Sequence, residues 1–109
     1  MEPRDLQQAR DLRIYLRTVG DLVRLQILKH LAQNDELNVN ELADVLRVSQ
    51  PLISWHLSVL KRIDLITMCK DGRLVHCSLN RPVLNDYRRR FADWIADETK
   101  SKEKGEGDG

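Results

Sequence analysis

Two helical patterns with almost nothing between them constrain this chain more than any other feature. Residues 41–48, "ELADVLRV", and residues 49–63, "SQPLISWHLSVLKRI", leave only two or three residues of turn between one helix and the next. So short a link forces the second helix to cross the first closely, as in a helix-turn-helix pair. The start of the second pattern is well marked. Ser49 is a good N-cap because its hydroxyl accepts from the free N–H groups of the first turn. Pro51 falls in that turn, where its missing donor costs little. At roughly 100° per residue, Leu52, Ile53, Leu57, Val59, Leu60 and Ile63 share one apolar arc. The other arc holds Gln50, Pro51, Ser54, Trp55, Ser58, Lys61 and Arg62. An ordinary solvated face is rich in Glu and Lys and displays no Trp; this one has hydroxyls, an amide, an indole and cations, and no carboxylate.

What surrounds the pair narrows the fold further. Residues 65–79, "LITMCKDGRLVHCSL", are two β-rich runs around Asp71-Gly72, a dipeptide that favours positive φ and marks a two-residue hairpin. Upstream, residues 5–19 suit an amphipathic helix with Leu12, Leu16 and Val19 on one side and Tyr15 alongside. Gly20 ends it. Asp21 caps a second helix, "LVRLQILKHLA", with Leu22, Leu25, Ile27 and Leu28 inward. "QNDELNVN" is a connector in which Val39 can add a single strand bridge and Asn40 can cap the third helix. A last helix over 82–98 has Pro82 in its first turn and Val83, Tyr87, Phe91, Trp94 and Ile95 on one stripe. The order α-α-α-α-β-β-α predicts a mainly α winged helix-turn-helix with a β-hairpin wing. It forms one domain over residues 1–99, followed by a disordered polar tail at 100–109.

The 109 residues suffice for one domain and a modest core. No run approaches the ~18 apolar residues of a membrane span, and no signal-peptide core follows Met1. Two cysteines without an export signal point to a reducing cytoplasm. The net charge of +1 argues for nothing, but its distribution does. Residues 1–46 carry 6 basic and 8 acidic side chains, residues 47–90 carry 9 and 3, and residues 91–109 carry 3 and 6. The basic excess sits in the segment that holds the acid-free helix, a footprint suited to a polyanion.

In a winged helix-turn-helix the second helix of the pair enters the major groove of DNA and the wing lies beside it. Ser49 and Pro51 open that helix. Gln50, Ser54, Trp55 and Ser58 can then meet base edges or thymine methyls, while Lys61, Arg62, Lys70 and Arg73 suit phosphates. The alternatives are an inert polar face, or a protein-interaction module in which Trp55 is the hot spot.

Three stretches resemble the ArsR/SmtB family of bacterial winged-helix repressors. "VGDLVRLQILKHLA" is similar to the family's second helix, with Leu22 where a proline is usual. "VSQPLISWHLSVLKRIDLI" resembles its recognition helix through Ser54, His56, Leu57, Leu60 and Lys61, and "KDGRLVHCSLN" resembles its wing turn. The resemblance implies a homodimer on a double-stranded DNA operator with two-fold symmetry, released by an inducer that is a small molecule or a redox signal. The terminal helices would build the dimer through Leu12, Tyr15, Leu16, Val19, Tyr87, Phe91, Trp94 and Ile95.

The family's metal sites do not match. Asn38 and Asn40 stand where thiolates would be in the third helix, and the last helix offers Asp86, Asp93, Asp97 and Glu98 but no His. Carboxylates without imidazole or thiolate are poor transition-metal ligands, so neither a metal nor another cofactor is expected. With Asp71-Gly72 as the turn, Cys69 pairs with Leu74 and Ile66 with Cys77. The two cysteines then lie on opposite hairpin faces, unbridged. Cys77 reads as a core filler; Cys69 is either an exposed bystander or a redox sensor. His56 falls within the apolar arc, where a half-buried imidazole bonded to a backbone carbonyl competes with a base contact. Neither a phosphate loop nor a nucleophile beside a credible base is present, which excludes an enzyme.

Overall fold

The computed structural model describes residues 2–96. The elements run α1 (Pro3–Val19), α2 (Leu22–Gln33), β1 (Leu37–Asn38), α3 (Val39–Leu46), α4 (Gln50–Arg62), β2 (Ile66–Asp71), β3 (Leu74–Leu79) and α5 (Arg81–Ile95). This is the winged helix-turn-helix expected from the sequence, with β1 added to the hairpin in an antiparallel sheet of order β1-β3-β2. The expected tail at 100–109 and the carboxylates Asp97 and Glu98 lie outside the described residues. Among those residues, no helix is long and apolar enough to cross a membrane.

Most element boundaries have a local cause. The Gly20 N–H donates to the Leu16 carbonyl at 2.9 Å. A Cβ at Gly20 would come within 2.8 Å of that oxygen, so the helix ends where only glycine fits. The Asp21 carboxylate then accepts from the Arg24 N–H at 3.0 Å and caps α2. The cap of α3 is Asn38 rather than Asn40. Asn38 Oδ1 accepts from the Glu41 N–H, and Glu41 Oε1 accepts from the Asn38 N–H, each at 2.8 Å. Such a box needs Glu or Gln three residues on, and Asn40 has Ala43 there. The strand bridge accordingly falls on Leu37 and Asn38, and Val39 opens the helix. Between α3 and α4 the chain reverses through Arg47 in the left-handed region, φ 57° and ψ 44°. Ser49 then caps α4 as expected, accepting from the Leu52 N–H at 3.4 Å.

The hairpin differs from expectation by its turn. Gly72 and Arg73, not Asp71 and Gly72, form the two-residue loop, so that Asp71 pairs with Leu74, Cys69 with His76 and Met68 with Cys77. Gly72 has φ +64° and Arg73 is not in the positive-φ region. This is the distribution of a turn with glycine at its first central position, whereas the expected turn needs positive φ at both residues. The cysteines are free, as expected, with Cys69 exposed and Cys77 buried. Burial, reinforced by the Glu36 carboxylate, pushes the Cys77 thiol up to about 11, which suppresses its thiolate at neutral pH. A maleimide should therefore label one thiol per native chain, at Cys69, and the second only after denaturation. Rapid native labelling of Cys77 would contradict this packing.

The core is formed by Ile27 and Leu31 of α2, Leu42 of α3, Ile53, Leu57 and Leu60 of α4, and Leu65, Ile66 and Cys77 below the wing, all at most 1% exposed. Three leucines expected inward are not. Leu22 is 74% exposed, Leu25 50% and Leu52 45%. The inward stripe of α2 is Val23, Ile27 and Leu31 at four-residue spacing, and Leu22 and Leu25 fall on the far side of the same helix. Leu52 lies at the rim of the α4 arc, where the core has already ended.

Candidate nucleic-acid interface

The buried half of α4 fixes its outer half. With Ile53, His56, Leu57 and Leu60 held in the core, Gln50, Pro51, Ser54, Trp55, Ser58, Lys61 and Arg62 are all exposed, and so is the cap Ser49. Trp55 is 52% exposed, a large apolar side chain held in solvent. Lys70 and Arg73 are exposed at the end of the wing, Arg73 within its turn. Not all polar groups on this surface are equally available. Ser58 Oγ donates to the Trp55 carbonyl at 2.7 Å, which leaves it an acceptor toward solvent. Among the described residues, Gln50 and Ser54 make no side-chain hydrogen bond, so both retain their full capacity for base edges.

Beneath this face lies a network that the sequence did not reveal. His56 is 6% exposed. Its Nδ1 lies 3.1 Å from Arg24 Nη1 and 3.7 Å from Asp21 Oδ2. A guanidinium can only donate, so Nδ1 is the acceptor and the neutral ring carries its proton on Nε2. The expected backbone-carbonyl partner of His56 is thus replaced by a side chain from α2. Arg24 Nε also donates to the Thr18 carbonyl at 2.7 Å, and its guanidinium sits 5.8 Å from the centre of the Trp55 ring. Arg24 therefore ties α1, α2 and α4 together and supports the exposed indole.

Burial lowers the pKa of His56 from its ordinary 6.5, Asp21 opposes that shift and Arg24 adds to it. The unfolded chain takes up this proton near 6.5 and the folded chain only at lower pH. Between the two values the unfolded state binds more protons, so the contribution to stability is whole above 6.5 and is lost as pH falls through the window. We expect His56→Gln to lose less thermal stability than the wild type between about pH 7.5 and about pH 5.5. An equal loss in both would contradict a buried neutral imidazole.

The terminal helices pack on each other within the chain. Tyr15 and Tyr87 stack with ring centres 4.7 Å apart and planes 4° from parallel, and Arg90 lies 3.8 Å from Asp11. Leu12 and Tyr15 are buried by this packing, and Val19 and Tyr87 rest against the core. Leu16 remains 40% and Ile95 63% exposed. Phe91 and Trp94 are half-buried, and together with Leu12 and Leu16 they line an open groove of about 460 Å³ between α1 and α5.

Three of the side chains standing at the metal positions are engaged otherwise. Asn38 closes the capping box. Asp86 contacts Arg89 and lies 3.5 Å from Arg90, and Asp93 lies 3.9 Å from Arg89. On the sheet, His76 Nδ1 meets Glu36 Oε2 at 2.8 Å. Among the described residues, no cluster of three His, Cys, Asp or Glu is arranged to hold a metal ion.

Comparison with known proteins places this arrangement. Residues 18–67 match the family described as "Bacterial regulatory protein, arsR family". An uncharacterized HTH-type transcriptional regulator of Methanocaldococcus jannaschii is 43% identical over 53 residues, which span 49% of this chain and 60% of that protein. Transcriptional repressor SdpR of Bacillus subtilis is 31% identical over 70 residues, 64% of this chain and 77% of the relative. Among solved structures, a possible transcriptional regulator for arsenical resistance has a TM-score of 0.67 at 32% identity, covering 76% of this chain and 85% of its own. NolR of Sinorhizobium fredii has a TM-score of 0.71 at 25% identity, covering 88% and 94%.

Proposed function

The chain belongs to the ArsR family of bacterial regulatory proteins, and from that premise we propose that it is a homodimeric repressor whose α4 reads a two-fold symmetric DNA operator. It is a transcriptional regulator and not an enzyme. One observation carries the operator reading: an exposed, carboxylate-free α4 face whose buried half is locked into the core. A carboxylate there would meet phosphate repulsion; the hydroxyls, the amide and the indole suit base edges and thymine methyls, and Lys61 and Arg62 suit phosphates. Lys70 and Arg73 extend the cationic surface along the wing. The exposed apolar groups of α1 and α5, Leu16 and Ile95 beside Phe91 and Trp94, support a two-fold seam that sets two α4 helices about 34 Å apart, one turn of DNA. Release does not run through the third-helix or last-helix metal sites. Asn38 is spent on capping α3, and the α5 carboxylates are paired with arginines.

The variants that test this reading act differently. Lys61→Ala and Arg73→Ala should weaken binding to every duplex and each lower the salt slope by about one unit. Gln50→Ala and Ser54→Ala should instead relax preference at single positions by about 1–3 kcal/mol per lost contact. A protein-interaction surface centred on Trp55 gives neither pattern, since it releases no counterions from DNA.

A further inference from the structure

A second basic surface flanks α4, and no part of the family's pattern in this sequence announces it. On the α4 wheel, Gln50 and Lys61 lie at one edge of the exposed face and Trp55 and Val59 at the other. At the Val59 edge a groove of about 250 Å³ opens against the first two helices. Arg13 and Arg17 of α1 and Arg24 of α2 line it together with Ile14, Thr18 and Val59. Three arginines thus share one groove, and among the described residues no carboxylate lines it. Among the described residues, Arg13 and Arg17 enter no ion pair or side-chain hydrogen bond, and both are exposed. Arg24 differs: its Nε and Nη1 are committed to Thr18 and His56, so it adds charge from a fixed position while the other two remain free to move onto a ligand. The groove is continuous with the recognition face, because Arg24 also covers the Trp55 ring at 5.8 Å.

We propose that this groove is a phosphate clamp, in which Arg13 and Arg17 of α1 bind phosphodiester groups of the DNA strand that borders the major groove occupied by α4. The proposal rests on the operator reading above. Asp21 lies close enough to Arg24 for the two charges to interact. Arg13 and Arg17, one helical turn apart on α1 and without an ion pair among the described residues, instead repel each other in the free protein, and a phosphodiester backbone relieves that repulsion. Arginine suits the task because its fork meets phosphate oxygens in pairs. A groove beside a helix that fills the major groove, about 12 Å wide, has a phosphate strand as its nearest neighbour. These contacts position the protein and carry no sequence information. The opposing role for the same side chains is to cover the second subunit, since Arg13 and Arg17 also reach the groove between α1 and α5.

The test compares wild type, Arg13→Gln/Arg17→Gln and Lys29→Gln, which removes a charge from an exposed part of α2 outside the groove's lining. Each is titrated with a selected duplex and with a random duplex over a range of salt, and its oligomeric state is measured by sedimentation. We expect the double variant to keep the wild-type oligomeric state and base preference while its salt slope falls by about 1.8 per bound chain, at roughly 0.9 per phosphate. Lys29→Gln should leave the slope unchanged. An unaltered slope in the double variant overturns the clamp while the operator reading stands, and so does loss of the dimer, which assigns the arginines to the subunit seam. Absence of salt-dependent binding in the wild type itself would instead remove the operator reading.

Discussion

Leu57→Ala should cost about 3 kcal/mol of folding free energy and lower the melting temperature by roughly 10–20 °C. Leu57 is fully buried at the centre of the α4 arc, among the side chains of Leu42, Leu60, Ile66 and Cys77 that make up the core. Alanine removes transfer energy and leaves a cavity that the rigid crossing of α3 and α4 cannot close. The informative comparison is with Leu22→Ala and Leu25→Ala. Both leucines fit an inward pattern by eye, yet they are 74% and 50% exposed, so each truncation should stay within about 0.5 kcal/mol. Denaturant melts at one fixed protein concentration, with slopes checked for constancy, measure all three. Equal losses at Leu22 and Leu57 would mean that α2 is rotated about its axis relative to this structure.

Ile95→Asp should convert a dimer into a monomer without unfolding the chain. Ile95 is 63% exposed, so the free subunit tolerates a carboxylate there; a two-fold seam through α1 and α5 would bury that carboxylate unpaired, which is strongly unfavourable. Ile95 separates folding from assembly better than Trp94, which is half-buried within its own chain. The consequence for DNA binding follows from bivalency. Two linked reading heads gain about 100-fold or more over one without any new contact, so operator affinity should fall by at least that factor while helical content persists. Sedimentation at tens of micromolar, circular dichroism and duplex titration make the measurement. A variant that stays dimeric would place the seam elsewhere, and one that turns monomeric with full operator affinity would break the link between dimer and operator.

Much of the fold was legible because its causes are local. Caps, turn chemistry and helical period act over three to seven residues, and Gly20, Asp21, Ser49 and Pro51 all stand where the sequence puts them. Two asparagines a single residue apart, Asn38 and Asn40, by contrast, required the whole capping box to be weighed, and Glu41 decides for Asn38. The hairpin is instructive in another way. Moving the loop by one residue carries each strand partner along by two, and a shift of two keeps every side chain on its own face. Cys77 therefore lies inward and Cys69 outward even though the expected pairing was displaced. Leucine content misled on α2 because a twelve-residue helix with four leucines offers two plausible stripes, and only packing against α4 and the sheet chooses between them. The Arg24–His56 bond joins residues 32 apart in sequence. No periodicity or motif couples such positions, and the sharing of one groove by Arg13, Arg17, Arg24 and Val59 is a tertiary fact of the same kind.

The central claim is that this chain reads duplex DNA through α4, and selection from a random duplex pool followed by titration over a range of salt tests it most directly. We expect an enriched motif of two inverted half-sites with centres about 10 base pairs apart, and an affinity for the selected duplex that falls steeply and linearly on a log–log plot against salt. A pool that returns no motif, together with binding that is indifferent to salt, would contradict it.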